Sequence, residues 1–574
     1  MTTIDDPNAL DTDGRESHDY RLSDRYLADE GRVFMTGSQA LSRLPIEQLR
    51  ADRANGLHTA AFASGYPGSP LGGIDGDFAR AAKAEPELPF VVSPGVNEEL
   101  AATAVMGTQL VGDQPDAHYD GVLGLWYGKA QGLDRSCDAL RHGVFGGASR
   151  HGGAIVLVGD DPGAKSSVVP SSSDLALLDL HLPCFYPADV QDVVDLGRHA
   201  VAMSRATGLW TAMKIVAPVA DGSGTVDVHT HRTDIVIPDM HIDGAPDFHV
   251  PDMKLLPPNN MEVEYDIRTT RTERAFRYIA ANRLNRIVVD PGPDAWIGLA
   301  ATGHTFSELR ESLRRLGLVT DEQIADAGIR LYHIRLPLPF DIATTREFAQ
   351  GLEELVVVEE KDPTLELFVK DALYDTRNGP HVVGKRDEQG EPLMPNHGPL
   401  YADTITPALR RRLERRLGDR LAPPPPPQRE RTLIPLSVER APYFCSGCPH
   451  NWGTKVPEGD VLIGGGVGCH TMAITMPEEK VGNMVGVTQM GGEGAQWTGM
   501  APFVEREHFI QNIGDGTFFH SGQLAVQAAV AAGTNITYKL LYNGTVAMTG
   551  GQDAVGDLDV PTIASVLILS LIHI

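Results

Sequence analysis

Short, nearly unbroken apolar runs recur along the chain, each closed by a glycine-rich turn and followed by helical periodicity. Thr59-Ala60-Ala61-Phe62-Ala63 is one such run, closed by Gly65-Tyr66-Pro67-Gly68-Ser69-Pro70. Ala154-Ile155-Val156-Leu157-Val158, closed by Gly159-Asp160-Asp161-Pro162-Gly163, is another, and Thr211 to Pro218 reads as a third buried strand. A strand without polar alternation is buried on both faces, as when helices cover both sides of a parallel sheet. Strand, glycine turn and helix in that order predict parallel α/β sheets that bind ligands near the strand C-termini. Val33-Phe34-Met35-Thr36-Gly37, ahead of these strands, reads as the opening of a helix-like stretch.

From about Asp221 to Arg271 the chain is rich in Asp, His and Pro and weakly periodic, which predicts a connecting excursion. A smaller α/β unit follows, with strands at Trp296 to Ala301, Arg330 to Ile334 and Leu355 to Glu359. Arg410 to Arg420 is charged but interrupted by acidic residues, which predicts a solvated helix rather than a nucleic-acid patch. The five prolines Pro423 to Pro427 fix φ and donate no hydrogen bond, so they form an extended spacer and a boundary. A third α/β unit starts near Leu433, with a helix from Gln523 to Ala532 and a strand from Tyr538 to Tyr542. The expected division is a polar leader (1–32), a first domain (33–220), the excursion (221–285), a middle domain (286–380), a charged and Pro-rich linker (381–432) and a last domain (433–574). The closing Leu569-Ser570-Leu571-Ile572-His573-Ile574 matches what a common sequencing adapter encodes in one frame. The reading frame is therefore expected to run into an assembly artefact inside a domain; a genuine short strand is the other reading.

Composition narrows the function classes. A length of 574 residues suits three or four domains, and an apolar fraction of 42% can bury a sizeable core. The net charge of −27 repels nucleic acid and anionic membranes and keeps a large protein in solution. Met1 to Arg32 has no apolar core for a signal peptide, and no apolar run reaches the roughly 18 residues that span a bilayer. These features predict a cytoplasmic protein with neither a nucleic-acid nor a membrane partner. Of the five cysteines, Cys445, Cys448 and Cys469 fall within 25 positions, a clustering that suggests metal ligation in a reducing compartment.

The strongest chemical signal is Ile513-Gly514-Asp515-Gly516 with Tyr542-Asn543-Gly544, the asparagine lying 28 residues after the aspartate. It puts a carboxylate at a strand end, between glycines that let the backbone approach a diphosphate. Mg²⁺ takes oxygen ligands and commonly bridges protein groups to phosphates. Asp515, the Asn543 amide oxygen and a backbone carbonyl near Thr545 suit it. Gly-Asp-Gly alone is often only a turn; the asparagine at this spacing makes the case. Phe444-Cys445-Ser446-Gly447-Cys448-Pro449-His450 and Gly468-Cys469-His470 offer three thiols and histidines, a set that zinc would also accept. His520, beside the aspartate motif, suits contact with diphosphate or substrate and equally a packed, hydrogen-bonded role. Cys137 and Cys184 fit no ligand pattern and read as buried thiols.

Several segments resemble the 2-oxoacid:ferredoxin oxidoreductases, and in particular their indolepyruvate branch. The stretch from Asn543 to Gln552 resembles the segment after the cofactor motif in that family, and Gly514-Asp515-Gly516-Thr517-Phe518-Phe519-His520 resembles the indolepyruvate branch. Gly65 to Pro70 resembles the family's Tyr-Pro-x-Thr/Ser-Pro turn, and Gly159 to Ser167 and Val356 to Glu360 are similar to further family segments. The likeness spans nearly the whole chain apart from the leader and the excursion. It implies a multidomain α/β fold, in which two thiamine-diphosphate-binding domains of parallel sheets flanked by helices enclose a transketolase C-terminal-like middle domain. It implies thiamine diphosphate bound through Gly514, Asp515, Gly516, Asn543 and Thr545, with Mg²⁺ on Asp515, Asn543 and Thr545. The glutamate that protonates the cofactor's pyrimidine falls at Glu98, in Asn97-Glu98-Glu99-Leu100-Ala101, with Glu99 as the fallback. Without the resemblance, both would read as first-turn acids complementing a helix dipole. Ser69 takes the place of a hydroxyl offered to the oxoacid, or else it is a turn hydroxyl.

The resemblance further implies a [4Fe-4S] cluster on Cys445, Cys448 and Cys469, whose fourth family ligand is absent from this chain. Its activity would be oxidative decarboxylation of an aryl 2-oxoacid of the indolepyruvate type, with coenzyme A, to an arylacetyl-CoA and CO2. Ferredoxin would take the electrons, and the protein would be a homodimer, with Glu98 and Asp515 able to serve one site from different chains. The long single-chain members continue beyond the thiamine domain, so a C-terminal truncation is expected. Two rival readings are a non-redox thiamine-dependent decarboxylase or synthase, and a truncated fragment that turns nothing over.

Overall fold

In the computed structural model, the described residues are 21–165, 167–229, 232–424, 443–547, 551–556 and 558–571. They build three main sheets. The first has six parallel strands in the order Phe90–Val92, Thr59–Gly65, Gly121–Lys129, Ala154–Asp160, Thr211–Val216, Cys184–Phe185. Successive side chains of a strand point to opposite faces. Accordingly Leu123, Leu125, Ile155 and Leu157 enter one core, while Trp126, Val156 and Val158 enter a second. That division accounts for apolar runs without polar alternation.

The middle sheet orders His381–Val383, Glu354–Val358, Ile297–Thr302, Ile329–Ile334 and Arg286–Val289, with only the last antiparallel. It too feeds two cores, with Leu299, Leu331 and Val356 on one side and Ala300, Tyr332 and Val357 on the other. The third sheet has four parallel strands, Asn483–Val487, Leu462–Gly465, Phe509–Gly514 and Ile536–Leu541. Its strand Phe509–Gly514 delivers Asp515 at its C-terminal end, where parallel sheets present ligands.

Four expectations need correction. Arg32–Thr36 is a strand, not the start of a helix, because Val33 and Met35 alternate as buried residues while Phe34 faces outward, a period of two. It pairs antiparallel with Ser223–Asp227, and the helix Gly37–Ala54 begins only after a capping box formed by Thr36 and Gln39. The excursion is more structured than weak periodicity suggested: helix Asn259–Asp266 runs through a π turn, Ile267–Arg271, into Thr272–Asn282. The fully buried Arg271 reaches the carbonyls of Val144 and Phe145 and so ties this segment to the first domain. The charged helix Ala402–Leu417 is not simply solvated, since its buried Arg412 grips both oxygens of Glu354 at 2.6 Å. Finally, Val560–Leu571 is helical where a short strand was the other reading, while residues 572–574 lie outside the described ones. Residues 425–427 of the proline run and the start of the third unit at residue 433 also lie outside them. Among the described residues, no helix is long and apolar enough to cross a membrane.

At Gly65, where strand Thr59–Gly65 enters the turn carrying Ser69, a Cβ would lie 2.0 Å from the backbone oxygen of Tyr127. Backbone cannot yield as a flexible side chain can. Gly65→Ala should therefore cost about 1–3 kcal/mol, the usual range for overpacking, read as a lower midpoint in urea unfolding followed by circular dichroism.

Candidate cofactor and active site

The first and third sheets meet within one chain. The Asn97 amide donates to the His520 carbonyl at 3.1 Å, Arg135 donates to the Met490 carbonyl at 3.0 Å, and the Tyr66 ring stands edge-on to the His520 ring at 4.7 Å. Glu98 and Asp515 thus come together without a second copy, where the sequence had left open that they serve one site from different chains.

At one end of the resulting cleft lies Asp515, buried and held entirely by backbone. Its Oδ1 accepts from Gly516 N at 2.9 Å, and its Oδ2 accepts from Asn543 N and Gly544 N at 2.8 and 2.6 Å. Gly544 adopts φ +69°, a left-handed conformation that favours glycine and that presents its N–H to the carboxylate. The Asn543 Oδ1 accepts from Thr545 N at 3.1 Å. The cleft has a volume of about 520 Å³, and Gly468, Gly514, Asp515, Gly516, Asn543 and Thr545 lie along its wall. These oxygen donors and open glycine backbone fit a magnesium diphosphate. The buried Tyr66 hydroxyl also borders the cleft and has no partner among the described residues, so a polar ligand would satisfy it. Burial first, then the charges of Glu98 and Asp515, push that hydroxyl's pKa up, so Tyr66 senses both ends of the site.

Glu98, linked through His520 to Tyr66 on the cleft wall, is the first residue of helix Glu98–Thr108, which Asn97 caps by accepting from Leu100 N at 2.9 Å. Its Oε2 lies 2.7 Å from Nε2 of His520, and its Oε1 is wedged against Gly132, where a Cβ would come within 2.8 Å. Glu99 instead points toward Arg135 at 3.7 Å, with its side chain 41% exposed. The geometry therefore favours Glu98 over its neighbour. Ser69 is half-buried in the turn, whose Gly68 packs on the stem of Lys129 and whose Pro70 packs on Gly159.

Lys129 was not singled out from sequence. Burial lowers its pKa, an effect that the nearby carboxylates of Glu98 and Asp161 oppose, and no ion pair to it occurs among the described residues. No motif marks it; only the fold brings Lys129 beside the Ser69 turn. Glu493, also missed, is fully buried. Gly491 N donates to its Oε2 at 2.7 Å, while its Oε1 packs against Gly466 and has no partner among the described residues. Burial pushes its pKa up to about 7. A carboxylate inside the glycine run Gly491-Gly492-Glu493-Gly494 was the available signal.

The three clustered cysteines are neighbours, since burial and the nearby Cys448 and Cys445 raise the Cys469 thiol pKa. Cys448 Sγ lies 3.2 Å from His450 Nδ1. Among the described residues, however, no group of three or more His, Cys, Asp or Glu side chains is disposed to hold a metal ion. Cys184 is fully buried with its thiol pKa pushed well up, and Cys137 Sγ donates to the Leu133 carbonyl at 3.2 Å, as befits ordinary packed thiols.

Comparison with known proteins gives two family matches: the indolepyruvate oxidoreductase domain over residues 287–421, and the thiamine pyrophosphate enzyme C-terminal TPP binding domain over residues 466–562. The second brackets the Asp515 and Asn543 loops, although residues 548–550 of the matching stretch lie outside the described ones. The indolepyruvate oxidoreductase subunit IorA of Methanothermobacter thermautotrophicus is 26% identical over 543 residues, covering 92% of this chain and 78% of its own length. The subunit IorA of Archaeoglobus fulgidus is 25% identical over 539 residues, covering 92% and 77%. Among solved structures, the 2-oxoglutarate:ferredoxin oxidoreductase of Magnetococcus marinus is similar with a TM-score of 0.48 and 14% identity, over 67% of this chain and 66% of that one.

Glu493 makes stability depend on pH. Its folded pKa of about 7 lies above the ordinary carboxyl value of 4.5, so the unfolded chain gives up this proton first as pH rises. Its contribution is fully present below about pH 4.5 and is lost as pH rises to about 7, amounting to about 3 kcal/mol at most. Glu493→Gln should flatten that part of the profile, so that its unfolding free energy gains on the wild type between pH 4.5 and 7.5. Parallel profiles for the two proteins would show that Glu493 is not the titrating group.

Proposed function

This chain belongs to the indolepyruvate oxidoreductase family, and we propose that it oxidatively decarboxylates an aryl 2-oxoacid in the presence of coenzyme A, with ferredoxin taking the electrons. The observation that carries this reading is the placement, within one chain, of the Asp515–Asn543 loops on one cleft and of Glu98 next to it, reached through His520 from the lining residue Tyr66. Asp515, Asn543 and the Thr545 backbone would hold Mg²⁺ on a diphosphate, with the glycines at 514 and 516 giving it backbone access. When bound there, thiamine diphosphate supplies a nucleophilic carbon and an electron sink for decarboxylation.

The chain's own groups do the rest. Glu98, buried and fixed at Oε2, holds a proton for a ring nitrogen in the cleft, a proton transfer of the general acid–base kind. Ser69 offers its hydroxyl to the keto acid. Lys129, beside the same turn and without a counter-ion among the described residues, would meet the substrate carboxylate; a charge-assisted hydrogen bond in a half-buried site discriminates strongly. The cysteine neighbourhood of Cys445, Cys448 and Cys469 favours a redox role over a non-redox synthase. Three thiols are one short of the four that hold a [4Fe-4S] cubane, so electron transfer is not assigned to residues of this chain.

Two measurements test the reading. Thiamine diphosphate titrated calorimetrically with Mg²⁺ should bind the wild type, and Asp515→Ala should weaken it by about a hundredfold or more, because losing even an outer-shell partner costs 10–100-fold. Unchanged uptake by the variant would remove the metal role. Lys129→Met should raise KM for an aryl 2-oxoacid by about thirtyfold, or about 2 kcal/mol, in a viologen-dye assay, and leave cofactor affinity intact. A change confined to kcat would exclude carboxylate recognition.

A further inference from the structure

His520 sits in a local break in its helix. Between Asp515–Thr517 and Gln523–Ala531 the chain makes a π turn, Phe518–Gly522, a feature that often marks functional sites because it re-aims side chains. The His520 ring, with its side chain 1% exposed, has both nitrogens engaged. Nε2 lies 2.7 Å from Glu98 Oε2, and Nδ1 lies 2.6 Å from the hydroxyl of Ser521, the next residue of the same turn. Ser521 in turn lies against Gly491, the residue whose N–H holds Glu493. The Asn97 side chain takes the His520 carbonyl, and the Tyr66 ring closes over the imidazole. A histidine packed only for stability needs one carbonyl or water partner. This one is tied to the carboxylate that the functional reading makes the proton carrier.

We propose that His520 is the positioning residue of Glu98, and that Glu98, His520 and Ser521 form a proton relay joining the first and third domains. This rests on the reading of the cleft given above. With Ser521 Oγ–H donating to Nδ1, the imidazole is the Nε2–H tautomer and donates to the Glu98 carboxylate. When Glu98 passes its proton to a ring nitrogen in the cleft, one O–H bond breaks and one N–H bond forms. The negative charge left on Glu98 is met by Nε2–H. When the imidazole itself takes a proton, Ser521 Oγ turns from donor to acceptor, and the carboxylate keeps its partner. The charged and titratable groups around this relay are Glu98, Tyr66 and, behind it, Asp515, Glu493 beyond Gly491, and the Arg135–Glu99 pair.

The test is calorimetric titration of the full chain with thiamine diphosphate and Mg²⁺, in buffers of different ionisation enthalpy from about pH 5.5 to 8.5, which counts protons exchanged on binding. His520→Gln keeps a donor within reach of Glu98 but cannot titrate. It should bind within about threefold of the wild type and lose the pH dependence of proton exchange that the wild type shows. His520→Ala should lose about tenfold in affinity, as expected for a hydrogen bond to a charged group. Ser521→Ala should move the midpoint of the proton-exchange curve while leaving affinity near the wild type. Proton-exchange curves and affinities in both His520 variants that match the wild type would overturn the relay alone. A wild type that takes up no cofactor would overturn the functional reading, and the relay with it. His520→Gln also guards against misreading a folding loss in His520→Ala.

Discussion

Burying a carboxylate costs several kcal/mol unless a hydrogen-bonded or charged partner meets it, and Glu98 meets its partner 422 residues away in sequence. The 2.7 Å contact with His520 joins two sheets, each with its own strand order and core. The neighbouring contacts, from Asn97 to the His520 carbonyl and from Arg135 to the Met490 carbonyl, fix the approach of the two domains. The same docking that offsets the carboxylate's burial also closes the cleft between Tyr66 and Asp515.

A second charged cluster lies where the first domain meets the middle one. Lys214, buried in strand Thr211–Val216, pairs with Asp174 at 2.6 Å and Asp160 at 3.4 Å. It borders a small cavity that Glu359 and Glu360 also line. Burial pushes the Glu359 pKa up to about 8, against two backbone N–H donors from helix Thr364–Leu373 that pull it down. Asp160 and Glu360, from separate segments of family likeness in the sequence, thus both act on the charge of Lys214.

The strands of the first sheet were legible because its inner strands are buried on both faces, so that Ile155, Val156, Leu157 and Val158 must all be apolar whichever way they point. Arg32–Thr36 was misread because five residues are too few to separate a period of two from a helical one when Gly37 comes directly after. Within the site, Asp515 and Asn543 were legible from spacing, since both sit on loops at the ends of adjacent parallel strands. Glu98 needed the family resemblance, because a first-turn glutamate has an ordinary explanation in the helix dipole. Lys129 carried no signal in the sequence, Glu493 only that of its glycine run, and the partners of His520 were not legible. Their chemistry depends on what lies opposite, and for His520 that partner belongs to another domain.

On the proposed reading, the hydrogen bonds of Asp515 would decide how a cation reaches the site. An ionised carboxylate has about four lone-pair positions, and three of them already accept N–H groups, from Gly516, Asn543 and Gly544. The side chain therefore cannot rotate to follow a ligand; it is held with about one position to spare. The Asn543 Oδ1 is similarly committed to Thr545 N, with one lone pair left. Two oxygens, each restrained by backbone and each with a single free direction, are a poor trap for a freely hydrated ion. They suit Mg²⁺ that arrives already bound to a diphosphate, since this ion demands near-ideal geometry and dehydrates reluctantly. On that reading metal and cofactor would bind together, coupled by the N–H groups that hold Asp515 still.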